Sequence, residues 1–554
     1  MTRNVRKACE SALEKALQKV FPRIPKQKNL SKTLDIPKNP THGDASSNIA
    51  LQLAREVKEA PLSIAQKLHD ELQSQTSTKL FSKIEVKPPG FINFFLSSEA
   101  LFEAAQDVLS KKERYAQTNA GKGKKIQIEF VSANPTGPLS VAHARQAAVG
   151  DALGNILQFL GYKVTKEFYV NDEGNQINVL GASIKRRAQQ QFMKTPMADE
   201  MYQGEYIKEI AAQFMKDNNI KSEKDLEGKD EDIARYGVEY LLNVIKQELQ
   251  DFGVHFDVWS FQSHIATAPT IEAALKDLEE KGFLYHKDGA LWFESTRFGD
   301  DKPRVVKKSD GNFTYLAPDI VYHKNKYDRG FDTIINMWGP DHHGYIPRIK
   351  AAAEALGHCA ESLEVKIVQL ATIYRDGQPV SMSTRRGQFI TLREVIDEVG
   401  VDAARFFFLM RRLEAHLDFD LELAKKQTPE NPVFYIQYAH ARIASIKKKA
   451  IESKKCMAKK IDATLLTQPE ELKLAKLLGQ FPSVLETSAV VRDPYGVVNF
   501  LQELATAFHS FYDKHRVISD EDPLTQSRLA LVEAVRIVLA LGLTLLGTSV
   551  PETM

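Results

Sequence analysis

One segment of the chain combines the side chains and turns that phosphate chemistry requires. The segment Glu129–Arg145 leaves an apolar strand, turns at Asn134 and Gly137, and enters a helix that contains His143. Ligands of open α/β sheets bind at such carboxyl ends of strands, where backbone N–H groups of the next helix face an anion. A histidine in the first helical turn can hydrogen-bond phosphate oxygens. The alternative interpretation is a structural junction whose prolines only stiffen the loop.

Other common nucleotide and metal motifs are missing from the sequence. There is no G-x-x-x-x-G-K-[ST] phosphate loop and no G-x-G-x-x-G dinucleotide motif. The cysteines Cys9, Cys359 and Cys456 lie far apart, with no close pair for a zinc knuckle, so no metal ligands are predicted. Sparse cysteines are typical of a reducing compartment.

The elements around this segment alternate between strand and helix. Strand-like spacing over Ile126–Val131, helical spacing over Val141–Leu160 and a further strand over Lys163–Val170 predict a βαβ unit and hence a parallel sheet. Residues from about 174 to 257 are helical and polar, which indicates an insertion. The apolar runs Thr333–Met337 and Val365–Leu370 continue the α/β pattern.

The flanks have different patterns. Helical spacing and two short strands near the N-terminus predict an α+β module, whereas only helical periodicity remains beyond about residue 429, which predicts a helical bundle. The predicted division is an N-terminal domain at 1–115, a catalytic domain at 120–428 with the helical insertion at about 174–257, and a helical domain at 429–554.

The composition is typical of a globular protein, and the net charge by itself does not indicate a nucleic-acid partner. The 554 residues are 43% hydrophobic and 26% charged, and 74 basic residues against 72 acidic ones leave a net charge of +2. A nucleic-acid surface would therefore need local segregation of charge. No apolar leader follows the basic N-terminus, and the apolar run Ile537–Leu546 is half a membrane span. We expect a soluble, cytoplasmic protein that does not bind membranes.

Several segments together resemble the arginyl-tRNA synthetases, in their bacterial form. Asn134–His143 resembles the "HIGH" region of class I aminoacyl-tRNA synthetases, and Val380–Leu392 resembles the family's "KMSKS" loop. Further segments that look like this family are Tyr169–Gln176, Phe313–Asp319, Trp338–Tyr345 and Asn431–Arg442. The resemblance covers essentially the whole chain and keeps the motifs in order.

The resemblance implies a multidomain α/β protein and a two-step reaction. A Rossmann-like parallel-sheet core would hold ATP between the two signature loops, flanked by an N-terminal module that touches the tRNA elbow and a C-terminal anticodon-binding bundle. The carboxylate of L-arginine would attack the α-phosphate to give arginyl-adenylate, and the 2′-hydroxyl of the arginine tRNA would then attack the activated carbonyl. The resemblance also implies Mg²⁺ bound with ATP, no zinc, and a monomeric protein.

The resemblance also implies roles for individual residues. The positions that match its catalytic and ATP-binding residues are Asn134, Pro135, Thr136, Gly137, Pro138, Leu139, Ser140, Val141, Ala142, His143, Asp341, His342, Met382, Ser383 and Arg385. The positions that match anticodon-domain contacts are Tyr435, Gln437, Tyr438 and Arg442.

Arginine recognition is implied at a third set of positions. A guanidinium is planar and permanently charged, so its pocket should offer a carboxylate and a flat aromatic neighbour. Tyr315 and Asp319 match the family positions that hold the arginine side chain, and Glu129 and Asn134 match positions that also contact arginine, Asn134 nearer its α-amino and carboxylate end.

The chain departs from the family pattern in its signature lysines and histidine. Ser140 stands where a histidine is usual, and Ser381 and Thr384 replace the two lysines of the second signature. A lysine that can compensate just before the first signature is also missing, because that position is Gly137. The remaining candidates to neutralise the pyrophosphate are Arg385, Arg386, Lys307 and Lys308.

These departures leave two alternatives to an active arginine enzyme. One is a tRNA-binding protein derived from a synthetase that lacks aminoacylation activity, which would not need the arginine pocket. The other is a class I synthetase for another amino acid. A pocket for an aliphatic side chain would not hold both Glu129 and Asp319, because unpaired buried carboxylates are costly.

Overall fold

The N-terminal module of this computed structural model is a small antiparallel sheet packed against helices. The structure describes residues 3–24, 30–35, 37, 39–75, 80–193, 196–380 and 389–554. The module contains α1 (Arg3–Val20), β1 (Leu34–Asp35), β2 (Ala45–Ser47), α2 (Ile49–Val57), α3 (Pro61–Gln75), β3 (Phe81–Lys87) and β4 (Phe91–Leu96). The strand order is β1-β2-β4-β3, and apolar side chains at helical or alternating spacing form a core of their own. The predicted α+β module is confirmed.

The next helix, α4 (Ser98–Lys111), packs away from this module. It begins at Ser97, whose side chain accepts a hydrogen bond from the backbone N–H of Ala100. It contacts the C-terminal helices, and the hydroxyl of Tyr115 donates to the carbonyl oxygen of Leu478 at 2.7 Å. Residues 98–115, predicted within the N-terminal domain, thus share a core with the rest of the chain, and the domain boundary stays a prediction.

The central part of the chain alternates between strands and helices as predicted. Its elements are β5 (Lys125–Glu129), α5 (Val141–Phe159), β6 (Lys163–Val170), α6 (Asn175–Gln189), α7 (Glu205–Asp217), α8 (Asp230–Asp251), β7 (Val258–Phe261), α9 (Gln262–Ile265), α10 (Ala268–Glu280), β8 (Leu284–Lys287), β9 (Ala290–Phe293), β10 (Arg304–Lys307), α11 (Leu316–Asp328), β11 (Thr333–Trp338), α12 (Ile346–Ala355), β12 (Leu363–Ile367), β13 (Ala371–Arg375), β14 (Gln378–Pro379), α13 (Leu392–Val399), α14 (Val401–Leu409), β15 (Leu417–Asp420) and α15 (Leu421–Lys425). Helices α6 to α8 form the insertion.

The main sheet has its topological switch point at the centre. Its five strands are parallel in the order β12-β11-β5-β6-β7. The chain proceeds from β5 to β6 and β7 on one side, and then to β11 and β12 on the other. Loops that leave β5 and β11 therefore diverge and open a crevice at the carboxyl ends of these strands, where open α/β sheets bind ligands. The predicted parallel-sheet core is confirmed.

One predicted strand ends earlier than its apolar run. β12 ends at Ile367, although apolar residues continue to Leu370. The carbonyl oxygens of Gln369 and Leu370 instead accept hydrogen bonds from the buried guanidinium of Arg145, at 2.6 and 3.3 Å. A buried arginine needs such acceptors, and the backbone N–H of Gln369 is also bonded outside this sheet, to the carbonyl oxygen of Leu413 at 2.9 Å.

The C-terminal part is helical, as predicted. Its long helices are α16 (Pro432–Glu452), α17 (Pro469–Val491), α18 (Tyr495–Lys514) and α19 (Asp522–Leu546). By length and apolar composition α19 could cross a membrane, but 78% of its apolar window is buried inside the protein. It packs against α4, α5, α16, α17 and α18, which is the behaviour of a core helix.

Candidate active site

The first signature-like segment is a strand–turn–helix junction at the crevice. β5 ends at Glu129, and α5 begins after Ser140, whose extended backbone makes it the N-cap. The backbone N–H of Ser140 donates to Nδ1 of His143 at 3.1 Å, and the Ser140 hydroxyl lies 3.2 Å from the same nitrogen. Because Nδ1 accepts, the ring proton is on Nε2, which is then a donor for a bound anion.

The charge state of His143 follows from its surroundings. Burial lowers the pKa of His143 to about 4, and the nearby Asp341 opposes this shift. The imidazole is therefore neutral at pH 7, and it offers a hydrogen bond but no positive charge. Asp341 and His342 are exposed on the turn after β11, with Asp341 Oδ2 3.4 Å from His342 Nε2. The structure thus brings Asp341 close to the first signature across the switch point.

The helical insertion covers the first signature loop. Tyr206 at the start of α7 donates its hydroxyl to the carbonyl oxygen of Thr136 at 2.9 Å. A Cβ atom on Gly137 would lie 3.2 Å from that hydroxyl oxygen, so a side chain at this position would displace Tyr206. The exposed Asn134 donates to Gln176 Oε1 at 2.8 Å. Sequence reasoning missed Tyr206 and Gln176, because only the fold brings the insertion over the loop.

The remaining members of this segment are divided between core and surface. Leu139, Pro135 and Val141 are buried, whereas Pro138 and Ala142 are partly exposed. The buried positions anchor the loop against the sheet. The partly exposed positions border the crevice.

The end of the second signature segment is hydrogen-bonded to the first signature segment. The backbone N–H of Leu392 donates to the carbonyl oxygen of Leu139 at 2.8 Å, and that of Val141 donates to Ile390 at 3.3 Å. These bonds place the end of the second signature beside the start of α5. The predicted ATP contacts Met382, Ser383 and Arg385 lie outside the described residues, as do Ser381, Thr384 and Arg386.

Two carboxylates lie at the switch point, and each has a fixed partner. Glu129 at the end of β5 is buried and forms an ion pair with the fully buried Lys326 of α11, while Ser132 donates to its other oxygen at 3.0 Å. Asp319, in the first turn of α11, accepts a hydrogen bond from the hydroxyl of Tyr345 at 2.6 Å.

Burial raises the pKa of Asp319 to about 6, and the negative charge of Glu129 adds to this effect, while the bond from Tyr345 opposes it. Asp319 is therefore largely ionised at pH 7 and available to a cation. Tyr315 lies one helical turn before Asp319 and is 81% exposed, so its ring is free to contact a ligand. Sequence reasoning missed Lys326 and Tyr345. Lys326 follows Asp319 by seven residues, a spacing that puts both on one helix face and could have indicated it.

The predicted anticodon-domain contacts fall into two groups on α16. Tyr435, Tyr438 and Arg442 are partly exposed, and the Arg442 guanidinium lies 4.5 Å from the Tyr438 ring centroid and 4.7 Å from that of Tyr512. Gln437 is instead buried and donates to Asp402 at 2.7 Å, so it joins the bundle to the catalytic core. Such stacked aromatic and arginine side chains are typical of surfaces that bind unpaired bases.

Within the residues that the structure describes, no group of three His, Cys, Asp or Glu side chains is arranged to hold a metal ion. Mg²⁺ that accompanies a nucleotide commonly binds through phosphate oxygens, water and few protein groups.

Comparisons with known proteins match these three parts of the chain. Residues 7–96 match the model "Arginyl tRNA synthetase N terminal domain", residues 104–412 match "tRNA synthetases class I (R), catalytic domain", and residues 436–554 match "DALR anticodon binding domain". Curated proteins named arginine–tRNA ligase from Oceanobacillus iheyensis and Bacillus subtilis are each 45% identical over 524 residues, and the Oceanobacillus match covers 94% of both chains.

A solved structure shares the whole architecture. The arginyl-tRNA synthetase of Thermus thermophilus matches 99% of this chain and 100% of its own, with a TM-score of 0.75 and 22% identity. That likeness concerns the fold, whereas the curated relatives provide the sequence similarity.

Proposed function

The chain belongs to the arginyl-tRNA synthetases, and on that premise we propose how its residues attach arginine to tRNA. The enzyme is a class I arginine–tRNA ligase that uses ATP. The observation that carries the assignment of roles is the pair of carboxylates at the switch point, next to the first signature loop. Asp319, ionised and accessible beside the exposed ring of Tyr315, is the complement of a guanidinium.

Arginine binds with its side chain toward Asp319 and Tyr315 and its α-amino end toward Glu129 and Asn134. The carboxylate of Asp319 accepts two N–H groups of the planar guanidinium, and Tyr315 lies against its face. Tyr345 keeps Asp319 oriented through its 2.6 Å hydrogen bond. Lysine would lack the flat fork of donors, and citrulline would lack the charge, so both bind weakly.

ATP binds as its Mg²⁺ complex at the amino end of α5. Backbone N–H groups of that helix and Nε2–H of His143 donate to phosphate oxygens. Because His143 is neutral, positive charge for the pyrophosphate would come from Mg²⁺ and from Arg385 or Arg386, with Lys307 and Lys308 as further candidates. The arginine carboxylate attacks the α-phosphate, the bond to pyrophosphate breaks, and arginyl-adenylate forms. The 2′-hydroxyl of the terminal adenosine then attacks the carbonyl carbon and releases AMP.

The flanking domains hold the arginine tRNA. Tyr435, Tyr438 and Arg442 present stacked rings and a guanidinium for anticodon bases, and the N-terminal module meets the tRNA elbow. Gln437 contributes indirectly, because it fixes α16 to the catalytic core. We propose that the enzyme works as a monomer in the cytoplasm, with tRNA, arginine and MgATP as its partners.

ATP–pyrophosphate exchange with arginine, run with and without tRNA, tests this function. Arginine-dependent exchange in the presence of tRNA is expected, and substitution of Asp319 by Asn should abolish most of it at low arginine concentration. Absence of exchange under both conditions, from a folded protein that still binds tRNA, would contradict the proposal. That result would favour a tRNA-binding protein without aminoacylation activity.

A further inference from the structure

A lysine without solvent exposure lies beneath the arginine pocket. Lys326 is 0% exposed, although a buried ammonium is costly unless every proton finds an acceptor. Its Nζ donates to Oε2 of Glu129 and, at 2.9 Å, to Oδ1 of Asn336, and it lies 4.3 Å from the ring centroid of Tyr322. These contacts satisfy the ammonium group from three sides.

The partners of Lys326 tie it to the two central strands. Glu129 and Asn336 are register partners on the adjacent strands β5 and β11. The side-chain amide of Asn336 donates to Nε2 of His323 at 2.9 Å, and Nδ1 of His323 lies 2.8 Å from the carbonyl oxygen of Asp319. Lys326 thus bridges the two strands at the switch point. Its partner Glu129 is the last residue of β5 before the chain enters the first signature loop.

The charges at the pocket floor match those of the substrate. Glu129 and Asp319 carry two negative charges, and Lys326 carries one positive charge, so the floor has a net charge of −1. Arginine at neutral pH has a net charge of +1. Without Lys326, Glu129 would be a buried carboxylate with no cation, and such a group takes up a proton or distorts its site.

We propose that Lys326 is a positioning residue for arginine recognition, which holds the Glu129 carboxylate in place while leaving Asp319 as the carboxylate that receives the guanidinium. The proposal rests on the proposed function of this pocket. Lys326 acts by orienting Glu129 and, through its positive charge, by lowering the pKa of Asp319, and it does not contact the substrate. It therefore affects arginine binding, whereas ATP binding at α5 is independent of it.

The ionisable groups that face Glu129 come from several elements. They are Lys326, Asp319 and Tyr322 of α11 and Tyr169 of β6, and Tyr322 is in turn bonded to Glu167, which pairs with Arg329. Among these groups Lys326 is the cation that contacts the Glu129 carboxylate. Its removal should therefore be visible as weaker arginine binding.

The first experiment substitutes Lys326 by Met and measures KM for arginine and for ATP in the complete enzyme with tRNA. We expect KM for arginine at pH 7 to rise roughly tenfold or more, and KM for ATP to stay as in the wild type. Equal changes in both KM values would overturn the proposal.

A double-mutant comparison covers the case in which the single variant folds poorly. Removing both members of a buried ion pair is often tolerated, so Glu129→Gln with Lys326→Met should fold. If Lys326 positions Glu129, this double variant has the same KM for arginine as Glu129→Gln alone at about pH 8, well above the pKa of about 6 of Asp319. A further increase in the double variant would show that Lys326 acts independently and would overturn the proposal.

Tyr327→Phe is the matched control on the same helix. It removes a 2.8 Å hydrogen bond to Ser362, away from Lys326 and Glu129. We expect KM for arginine to remain that of the wild type.

Calorimetric titration of the same variants with arginine, in the presence of tRNA, separates this proposal from the proposed function. Arginine binding without exchange by the wild type would contradict the enzymatic assignment and leave the Lys326 comparison intact. A wild type that binds no arginine would overturn both.

Discussion

At the scale of single residues, partly buried side chains next to the crevice have charge states that decide what they can bind. His143 is neutral at pH 7, since burial lowers its pKa to about 4, and it serves as a hydrogen-bond donor. Asp319 has a pKa raised to about 6, so it is charged at neutral pH and loses that charge in mild acid. The proposed arginine site is therefore sensitive to acid at one carboxylate.

Acidification should weaken arginine recognition through Asp319. Protonation removes the charge that pairs with the guanidinium, so kcat/KM for arginine should fall roughly tenfold per pH unit once the pH is below about 6. Initial rates at subsaturating arginine, measured from about pH 5 to about pH 8, check this expectation. kcat/KM for ATP at saturating arginine serves as the control, and a flat arginine profile would contradict the role of Asp319.

Substituting Tyr345 by Phe should raise the pKa of Asp319. The hydroxyl of Tyr345 lowers the pKa of Asp319, so its loss raises that pKa and leaves less carboxylate at pH 7. We expect kcat/KM for arginine to fall roughly tenfold, the effect of one hydrogen bond to a charged group, with the acid midpoint at higher pH. Tyr327→Phe removes a comparable 2.8 Å bond, to Ser362, at the far end of the same helix and should change neither quantity.

At the scale of secondary-structure elements, α5 is the part that positions the first signature. Its amino end is capped by Ser140. Leu139 and Val141 form backbone hydrogen bonds with the end of the second signature segment. Its middle is packed against the sheet so closely that a Cβ on Gly150 would lie 2.3 Å from the Phe130 ring. The position of the loop is therefore determined by the contact between helix and sheet.

Gly150→Ala should destabilise the catalytic core. Phe130 is fully buried and lies 4.4 Å from Phe256 between ring centroids, so it has little room to move. Overpacking of this kind costs about 1–3 kcal/mol, which should appear as a lower melting temperature and a higher KM for ATP. Gly344→Ala has no atom within 4 Å of the added Cβ and should leave the melting temperature unchanged. Equal stability of the two variants would contradict the packing argument.

At the scale of the whole molecule, one buried arginine joins the catalytic core, the insertion and the bundle. Arg405 of α14 donates to Asp151 of α5 at 2.5 Å, to the carbonyl oxygen of Phe252 after α8 at 3.0 Å, and to that of Leu546 in α19 at 3.1 Å. Asp151 is also bonded to Lys166 of β6 at 2.6 Å. The anticodon-binding bundle is thereby fixed to α5, the helix that follows the first signature segment.

Arg405→Met should loosen this junction. The substitution leaves the backbone carbonyl oxygens and one oxygen of the Asp151 carboxylate without a hydrogen-bond donor. Breaking a buried ion pair in this way costs about 3–5 kcal/mol. Thermal unfolding should begin at a lower temperature. The rate of aminoacylation should decrease by a larger factor than the affinity for arginine. Arg235→Met removes an exposed ion pair with Asp232 and should give the wild-type melting curve. A junction variant that melts like this control would contradict the role of Arg405.

The sequence alone was sufficient for the order of elements, the parallel sheet, the helical bundle and the family, because these depend on local periodicity and on contiguous motifs. It also singled out Asp319 and Glu129 as candidates, because both lie at positions that match the family's arginine-binding residues. Their roles, and those of Tyr435, Tyr438 and Arg442, stay predictions.

The tertiary structure decided which of these residues are free and which are already engaged. Lys326, 197 positions away from Glu129 along the chain, forms an ion pair with it; Tyr345 orients Asp319; Tyr206 covers Gly137; and Gln437 is buried in an interdomain contact. No spacing rule covers such distances, because strand pairing and helix packing bring together residues from separate elements. Burial and partner charges then set the protonation states, and these determine the chemistry of the site.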